Sequence, residues 1–388
     1  MIIKVFIMLL LCITISSPAV AQESTSMKAA DNSDYASAKI ISVNEQKLSQ
    51  TLSQSLGANA SVQKVTLKVE SGPYKGKIIH LDNQLSANKA YDIKVKPKDH
   101  VLLDVEPTSK TNATFYLADF YRIPALIVVF IAFLASMILI SGKKGVKSIV
   151  SIFSTFSLIA FILIPSITGK LPLIAVTLAV CTAATVIAII SVSGFNMKSL
   201  SAILGTLCGL FIAGLVALYA LKFGYLTGFH DQESIILESM HPELNFRGLL
   251  ASSMLISSLG AIMDIGISIA SSIYEIHQTN EEIGFKKLYQ SGMNIGSDIT
   301  GAMANTLILA YIGGSLPLAV LASSISPIKF LSLNSISTEI FSALAGSIGI
   351  VLCVPATAAI SGYMFSRKNK FSDLESLKNN TLDNEINS

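Results

Sequence analysis

Asp264 is the residue in this chain whose type and position most clearly suggest chemistry. It is the only Asp or Glu between Arg247 and Glu275, in a stretch that is otherwise neutral and mostly apolar. A carboxylate inside a hydrophobic span is energetically costly and is usually retained for a function, such as carrying a proton or binding a cation. We therefore expect Asp264 to be an ion-coupling group to which water gains access from one side.

Other polar and small residues repeat at helical spacing around Asp264. Steps of three or four residues place one set on a single helix face: Ser257, Gly260, Asp264, Ser268, Ser271 and Glu275. The next apolar stretch carries a second set with the same spacing: Asn294, Asp298, Gly301 and Asn305. Two consecutive spans are antiparallel, so this spacing predicts a polar stripe between two helices.

Equal helical rise on the two spans predicts which residues share a depth. Eleven residues separate Asp264 from Glu275, and eleven separate Asn294 from Asn305, which is about 16 Å of helix in each case. Asn305 is therefore predicted to lie level with Asp264, and Asn294 near Glu275, with Asp298 at the level of Ser271. We predict a helix-packing role for Gly260, Gly301 and Gly346, because small residues allow close helix contact.

The rest of the chemistry in the chain indicates neither an enzyme nor a bound cofactor. No Ser/His/Asp or Cys/His arrangement and no phosphate-binding loop is recognisable, and Asp264 and Asp298 are predicted to be about 10 Å or more apart, too far for a catalytic pair. Each of the four cysteines lies in an apolar stretch without a nearby Cys or His, which disfavours a disulfide framework or a zinc site. A metal site from four residues of one polar segment is conceivable, but such mixtures are more often solvated: His230, Asp231, Glu238 and His241.

Composition indicates a membrane protein. Hydrophobic residues make up 51% of the 388 and charged residues 14%, whereas a soluble chain has about 25% charged residues. Apolar runs of roughly the length needed to cross about 30 Å of hydrocarbon predict an all-α bundle of about eight transmembrane helices within 124–365. The predicted spans are 124–140, 148–165, 171–192, 200–221, 248–273, 294–313, 315–325 and 340–365.

The predicted orientation contains a conflict. Lys143, Lys144 and Lys147 follow the first span and favour the cytoplasmic side for that loop. Eight spans that begin outside would leave the polar tail 366–388 outside, although its Arg367 and Lys368 favour the cytoplasm. Either 315–325 re-enters the membrane without crossing it, or another span lies between Ser315 and Glu339.

The N-terminal part of the chain is predicted to be exported. Lys4, an apolar run and Ala19-Val20-Ala21 indicate a signal peptide at 1–21, with an uncleaved membrane anchor as the alternative, followed by a flexible leader at 22–38. Alternating apolar and polar residues then predict strands at 62–70, 77–81, 91–96 and 100–105. We expect a small extracytoplasmic β domain of barrel type at 39–110 that serves binding or assembly.

Several stretches resemble the YibE/F family of bacterial membrane proteins. They are 258–272 (SLGAIMDIGISIASS), 291–298 (SGMNIGSD), 305–318 (NTLILAYIGGSLPL), 344–349 (LAGSIG) and 72–76 (GPYKG). The resemblance covers roughly 60–365 and implies a multi-span protein of the bacterial inner membrane with an extracytoplasmic domain before the bundle. It implies no known activity.

Two functions of different classes remain open. The first is a secondary transporter or permease with Asp264 as its ion-coupling carboxylate; the order of an Asp helix, a cytoplasmic connection and a second polar helix is similar to proton-driven permeases by analogy of fold alone. The alternative is a non-transporting scaffold or sensor whose β domain binds an extracytoplasmic partner, while the polar stripe only packs the helices against each other. The expected partners are the lipid bilayer, a small solute or ion, and either an extracytoplasmic protein or a second copy of the chain, but not nucleic acid.

Overall fold

The computed structural model describes residues 34–47, 61–86, 92–107, 113–169 and 171–386, with side chains through Ser366. The predicted signal peptide at 1–21 lies outside the described residues. The chain divides into two compact units between Met137 and Ile138, and each is described by itself. The predicted order, a β domain followed by membrane helices, is confirmed.

The first unit is a five-stranded antiparallel sheet. Its strands are β1 (Asp34–Lys47), β2 (Ser61–Val69), β3 (Ile78–Leu85), β4 (His100–Pro107) and β5 (Ala113–Phe120), in the order β3-β2-β1-β4-β5. Every second residue of the inner strands points to one side, and these residues form an apolar core that includes Ala38, Leu67 and Leu103, each fully buried. The edge strands β3 and β5 approach within 8 Å between Cα atoms, so the sheet curls towards a barrel.

The sheet is longer than the predicted 39–110. It begins at Asp34, so residues 34–38 of the predicted leader belong to β1, and it ends with β5, which was not predicted. The predicted strand at 91–96 is wrong for its described part, because residues 92–96 are irregular. Their backbone is held by a side chain instead: Val95 donates its N–H to Gln63 Oε1 and accepts a hydrogen bond from Gln63 Nε2.

The second unit is helical, and its first helix begins before the boundary. The elements are α1 (Ile123–Leu158), a π-helical turn (Ile159–Leu163), α2 (Ile164–Ile167), α3 (Leu173–Ser193), α4 (Met197–Phe223), α5 (Gln232–Met240), α6 (Phe246–Thr279), α7 (Phe285–Gly314), α8 (Leu316–Leu321), a 3₁₀ turn (Ala322–Ser324), α9 (Pro327–Leu331) and α10 (Asn334–Ile386). Polar caps define some of the starts: Asn196 accepts a hydrogen bond from Ser199 N, and Asn245 accepts one from Gly248 N.

Within the described residues, six helices are long and apolar enough to cross a membrane, so the predicted count of about eight is not confirmed. They are Ile123–Ile167, Leu173–Ser193, Met197–Phe223, Phe246–Thr279, Phe285–Gly314 and Asn334–Ser366. The first has 45 residues, or about 67 Å of helix, roughly twice the hydrocarbon thickness. Its helix is broken at Gly142, whose φ of 54° and ψ of −128° are not helical, and Lys143 and Lys144 follow directly.

The predicted span at 315–325 is wrong. The six residues of α8 rise only about 9 Å, and the chain then passes through a 3₁₀ turn to an extended Ile325. Pro317 and Pro327 stand at the starts of α8 and α9, where their missing N–H groups end the preceding helical bonding. The connection between the predicted spans 248–273 and 294–313 is also shorter than expected, because α6 and α7 extend into it and residues 280–284 link them.

The helical core lies where α4, α6, α7 and α10 meet. Ile265, Ile269 and Ile350 are fully buried there, together with Cys353 and Val354. Glycines allow the close approach of the helices: a Cβ on Gly209 would lie 2.8 Å from the carbonyl oxygen of Gly349, and one on Gly205 would lie 2.0 Å from Thr357 Oγ1. This packing holds α6 and α7 in place and determines which of their faces points away from the core.

Candidate functional site

The inner face of α6 is apolar and packed. Ile262, Ile265, Ile269 and Ile273 have no exposed surface and lie among α7 and α10 side chains. Helical periodicity therefore turns the opposite face of α6 away from the core. That outer face is the one on which the polar residues are spaced.

Asp264 lies on the outer face, about halfway along α6. Its side chain is exposed in the single chain, as are Ser257, Gly260 and Glu275, whereas Ser268 is half-buried. Asp264 forms no hydrogen bond or ion pair with any residue that the structure describes. Its carboxyl group is thus available to a proton, a cation or water.

The polar residues of α7 likewise lie on its outer face. Asn294, Asp298, Gly301 and Asn305 are all exposed. The opposite side of the helix packs, since Gly292 and Gly296 are buried. Of the 18 residues that form the most apolar stretch of α7, 6% are buried. The corresponding share is 56% in α4 and also 56% in α10. The two polar sets therefore lie on neighbouring helices, and both turn away from the core.

The match in depth between the two helices differs from the predicted one by about one turn. A Cβ on Gly292 would contact Ile273, and one on Gly296 would contact Ile269. Asp264 lies five residues before Ile269, and Gly301 lies five residues after Gly296. Because the helices are antiparallel, Asp264 is level with Gly301, and Asn305 lies about 6 Å further along α7. By the same count, Ser271 is level with Asn294, not Asp298.

The same count places Glu275 level with Gln290 and not with Asn294. The prediction assumed that the helices turn at Glu275 and Asn294, whereas the turn lies at 280–284 and the packing of isoleucine against glycine sets the register. The shift is the same for all three pairs, so the order of the residues along each helix is kept, but the two sets point outwards and form no hydrogen bond with each other among the described residues.

A hydrogen bond links the polar face of α6 to Tyr311 of α7. Ser257 Oγ and the Tyr311 hydroxyl are 2.6 Å apart, linking α6 to α7 about two turns from Asp264. The sequence did not single out Tyr311, although it lies six residues beyond Asn305 on the same helix. This bond holds α6 and α7 together at the end of α7 that precedes α8.

The predicted packing glycines behave differently from one another. Among the described residues, nothing lies within 4 Å of the position a Cβ would take on Gly260 or Gly301, so neither packs against another helix. At Gly346 the contact is close, with a Cβ position 2.6 Å from Leu307 Cδ2 and 3.1 Å from Ser258 Cβ. Further glycines pack equally closely but were not predicted: Gly205, Gly209, Gly266, Gly292, Gly296 and Gly349. The four-residue spacing of 205/209 and 292/296 is the signal that could have found some of them.

The four conceivable metal ligands in and beside α5 do not lie together in the structure. Asp231 caps α5 by accepting a hydrogen bond from Ser234 N at 2.8 Å and lies 3.4 Å from His230 Nε2. His241 instead bonds Glu243 at 3.1 Å. In the part of the chain that the structure describes, no three His, Cys, Asp or Glu residues form a group that could hold a metal ion.

Two comparisons with protein families cover most of the chain. The model of the YibE/F-like proteins matches residues 129–367, and that of the YibE/F family N-terminal domain matches residues 32–120. The first match spans the helical region that contains Asp264 and the α7 residues, and the second spans the sheet. No curated protein and no solved structure matches the chain.

Proposed function

Since the chain belongs to the YibE/F family and its apolar helices are those of a membrane protein, we propose that it is a secondary transporter or permease with Asp264 as the ion-coupling carboxylate. One observation carries this proposal: an unpartnered carboxyl group halfway along α6 lies on a polar face that continues onto α7. No catalytic arrangement is part of the proposal.

The energetics favour function over packing for Asp264. A charged side chain at the bilayer centre costs roughly 2.5–3.5 kcal/mol or more, whereas polar contacts between membrane helices stabilise by about 0.6 kcal/mol on average. A residue needed only to align two helices could be Asn, which avoids the charge. Asp264 does not form even such a contact with the described residues, so no hydrogen bond or ion pair with them offsets the cost of its charge.

The polar face needs cover on the side away from the core. Hydrocarbon cannot solvate Asp264, Asp298 and Asn305, and such groups face a bundle interior or a water-filled cavity in membrane proteins. A second copy of the chain, placed against the open Gly301, would enclose a polar path between the two copies, whereas Gly260 borders a cavity that it shares with α3 of its own chain. We therefore include a homo-oligomer in the proposal.

Positive charge supports a topology of seven crossings. The 45-residue stretch Ile123–Ile167 has the length for two crossings joined at Gly142, and the other five candidate helices add one each. One side of the membrane then receives most of the loop and tail cations: Lys143, Lys144, Lys147, Lys198, Lys286, Lys287, Arg367, Lys368 and Lys370. That side is the cytoplasm in the proposal, with the β domain outside and the carboxyl-terminal tail inside. Removing 315–325 from the spans thus removes the conflict in orientation.

The β domain supports the second candidate function, a scaffold or sensor. A cavity of about 800 Å³ lies between its edge strands, lined by residues 77–84 of β3 and its approach and by 113–117 of β5. A groove between strand edges suits an extended peptide. In this alternative the sheet binds a partner outside the cytoplasm, and Asp264 has no ion to carry.

Infrared difference spectroscopy on the purified full chain in nanodiscs separates the two functions. The carboxyl band of Asp264, identified by its loss in Asp264→Asn, is expected to change with pH steps and with added Na⁺ or K⁺. Asp298→Asn is the matched control and should retain that band. A band that stays constant across pH and both ions would reject the transporter and favour the scaffold.

A further inference from the structure

A second carboxylate lies in a cavity of about 330 Å³ near the end of α7. The cavity is bounded by α7, α8, Phe330 of α9 and the first turns of α10. Apolar side chains form most of its wall, among them Ile308, Ile312 and Leu344. Glu339 of α10, which is half-buried, and Tyr311 supply two of its few polar groups.

Glu339 has no counter-ion in the single chain. It forms no ion pair or hydrogen bond with the residues that the structure describes, and Lys329, on the neighbouring α9, is not within ion-pair distance of it. A carboxylate against an apolar wall without a partner is unfavourable. A ligand that brings a positive charge and apolar surface together would satisfy both the carboxylate and the wall.

We propose that this cavity binds a small organic monocation with apolar substituents, a quaternary or protonated amine. Glu339 neutralises the charge, the apolar side chains cover the substituents, and the Tyr311 ring offers a face to the cation. The cavity volume is at the lower end of the range for small-molecule sites, about 300–1,000 Å³. A bare metal ion fits poorly, because Ca²⁺ takes about six to eight oxygen ligands and the wall supplies few.

The cavity is connected to the polar face of α6. Tyr311 lines the cavity, and its hydroxyl is 2.6 Å from Ser257 Oγ, which stands on the same helix face as Asp264 and seven residues before it. The cavity is thereby the substrate site of the proposed transporter on the side opposite the tail. That role rests on the proposed function, whereas binding of the cation in the cavity does not.

Binding of radiolabelled benzyltrimethylammonium to the full chain in nanodiscs, with empty nanodiscs subtracted, tests the proposal. Saturable binding is expected, and Glu339→Gln should weaken it at least tenfold. Glu238→Gln, a change of the same type on exposed α5 outside the cavity, should leave it unchanged. The uncharged isostere neopentylbenzene should not compete. Equal binding by Glu339→Gln, or full competition by neopentylbenzene, would overturn the proposal.

Two further variants keep the test decisive. Ile312→Trp retains the charge of Glu339 but fills the cavity, so it should abolish binding even if Glu339→Gln cannot be purified; unchanged binding would contradict the assignment. Leu309→Trp, the same kind of enlargement at an exposed position of α7 outside the cavity, should bind the cation as the wild type does. Loss of binding in Leu309→Trp as well would overturn the assignment to the cavity. If the carboxyl band of Asp264 does not change with pH or added ions while the cavity still binds the cation, only the proposed coupling role of Asp264 is rejected, and the binding site in the cavity stands.

Discussion

The two faces of α6 and α7 use the same small residue for opposite purposes. On the inner face, a Cβ on Gly296 would lie 2.2 Å from Val354 Cγ1, and one on Gly292 would lie 2.5 Å from Ile273 Cδ1. On the outer face, Gly301 and Gly260 meet nothing within 4 Å among the described residues. The inner glycines allow helices to touch, whereas the outer ones leave space beside Asp264. Whether a glycine in these helices allows close packing therefore depends on which residues lie beside it in the folded chain.

The comparison extends to the side chains around each glycine. Isoleucines from α6 fill the inner face, and their burial contributes stability in the packed bundle. The outer face has carboxylates and amides that form no hydrogen bond between α6 and α7 in the described chain, and the bond that links the two helices there joins the hydroxyl groups of Ser257 and Tyr311. The inner face is thus suited to holding the helices together, and the outer face to contact with water, ions or a second copy.

The largest contrast is expected between Gly296→Ala and Gly301→Ala. The first change places a methyl group against Val354 and should lower the free energy of unfolding by about 1–3 kcal/mol, as overpacking does. The second should leave it unchanged or raise it by up to about 1 kcal/mol, through better helix propensity. Unfolding in mixed micelles, followed by circular dichroism, measures both. Equal losses in the two variants would mean that the two faces do not differ in packing.

Cross-linking tests what covers the outer face. Cys208 is the exposed cysteine among those described, so Cys208→Ser provides the background. Gly301→Cys should form a disulfide-linked dimer under mild oxidation in native membranes, because a second copy is proposed to lie there. Leu218→Cys, which is exposed on α4, should remain monomeric. Absence of a dimer from Gly301→Cys, or equal yields from both positions, would remove the second copy from the proposal.

The smallest effect is expected from Ser257→Ala. It removes the hydrogen bond from the polar face of α6 to Tyr311 of α7, and such contacts in membranes average about 0.6 kcal/mol. Ser253→Ala is the control, since Ser253 bonds only the Leu250 carbonyl of its own helix. Both are measured by unfolding in the same micelles. A loss of several kcal/mol in Ser257→Ala would show that the outer face stabilises the fold as strongly as the inner one.

Some features were predictable because they depend on neighbours in the chain. The apolar lengths of α3, α4 and α6 follow from composition alone, and the alternation in β2 predicts its buried side. The strand β1 was missed because its buried residues include two alanines, Ala36 and Ala38, which carry little strand signal. The span at 315–325 was predicted from hydrophobicity, but Pro317 within it and Pro327 just beyond it divide this part of the chain into short helices.

The sequence by itself determined that Asp264, Gly260 and Glu275 share one face of a helix and that Asp298, Gly301 and Asn305 share another, because helical periodicity is a property of the local backbone. Only the tertiary structure decided where those faces point and how they match in depth. Ile269 and Ile273 of α6 enter the spaces over Gly296 and Gly292 of α7, which turns both polar faces outwards and aligns Asp264 with Gly301. Such contacts depend on the shapes of distant residues, and no spacing along a single helix encodes them.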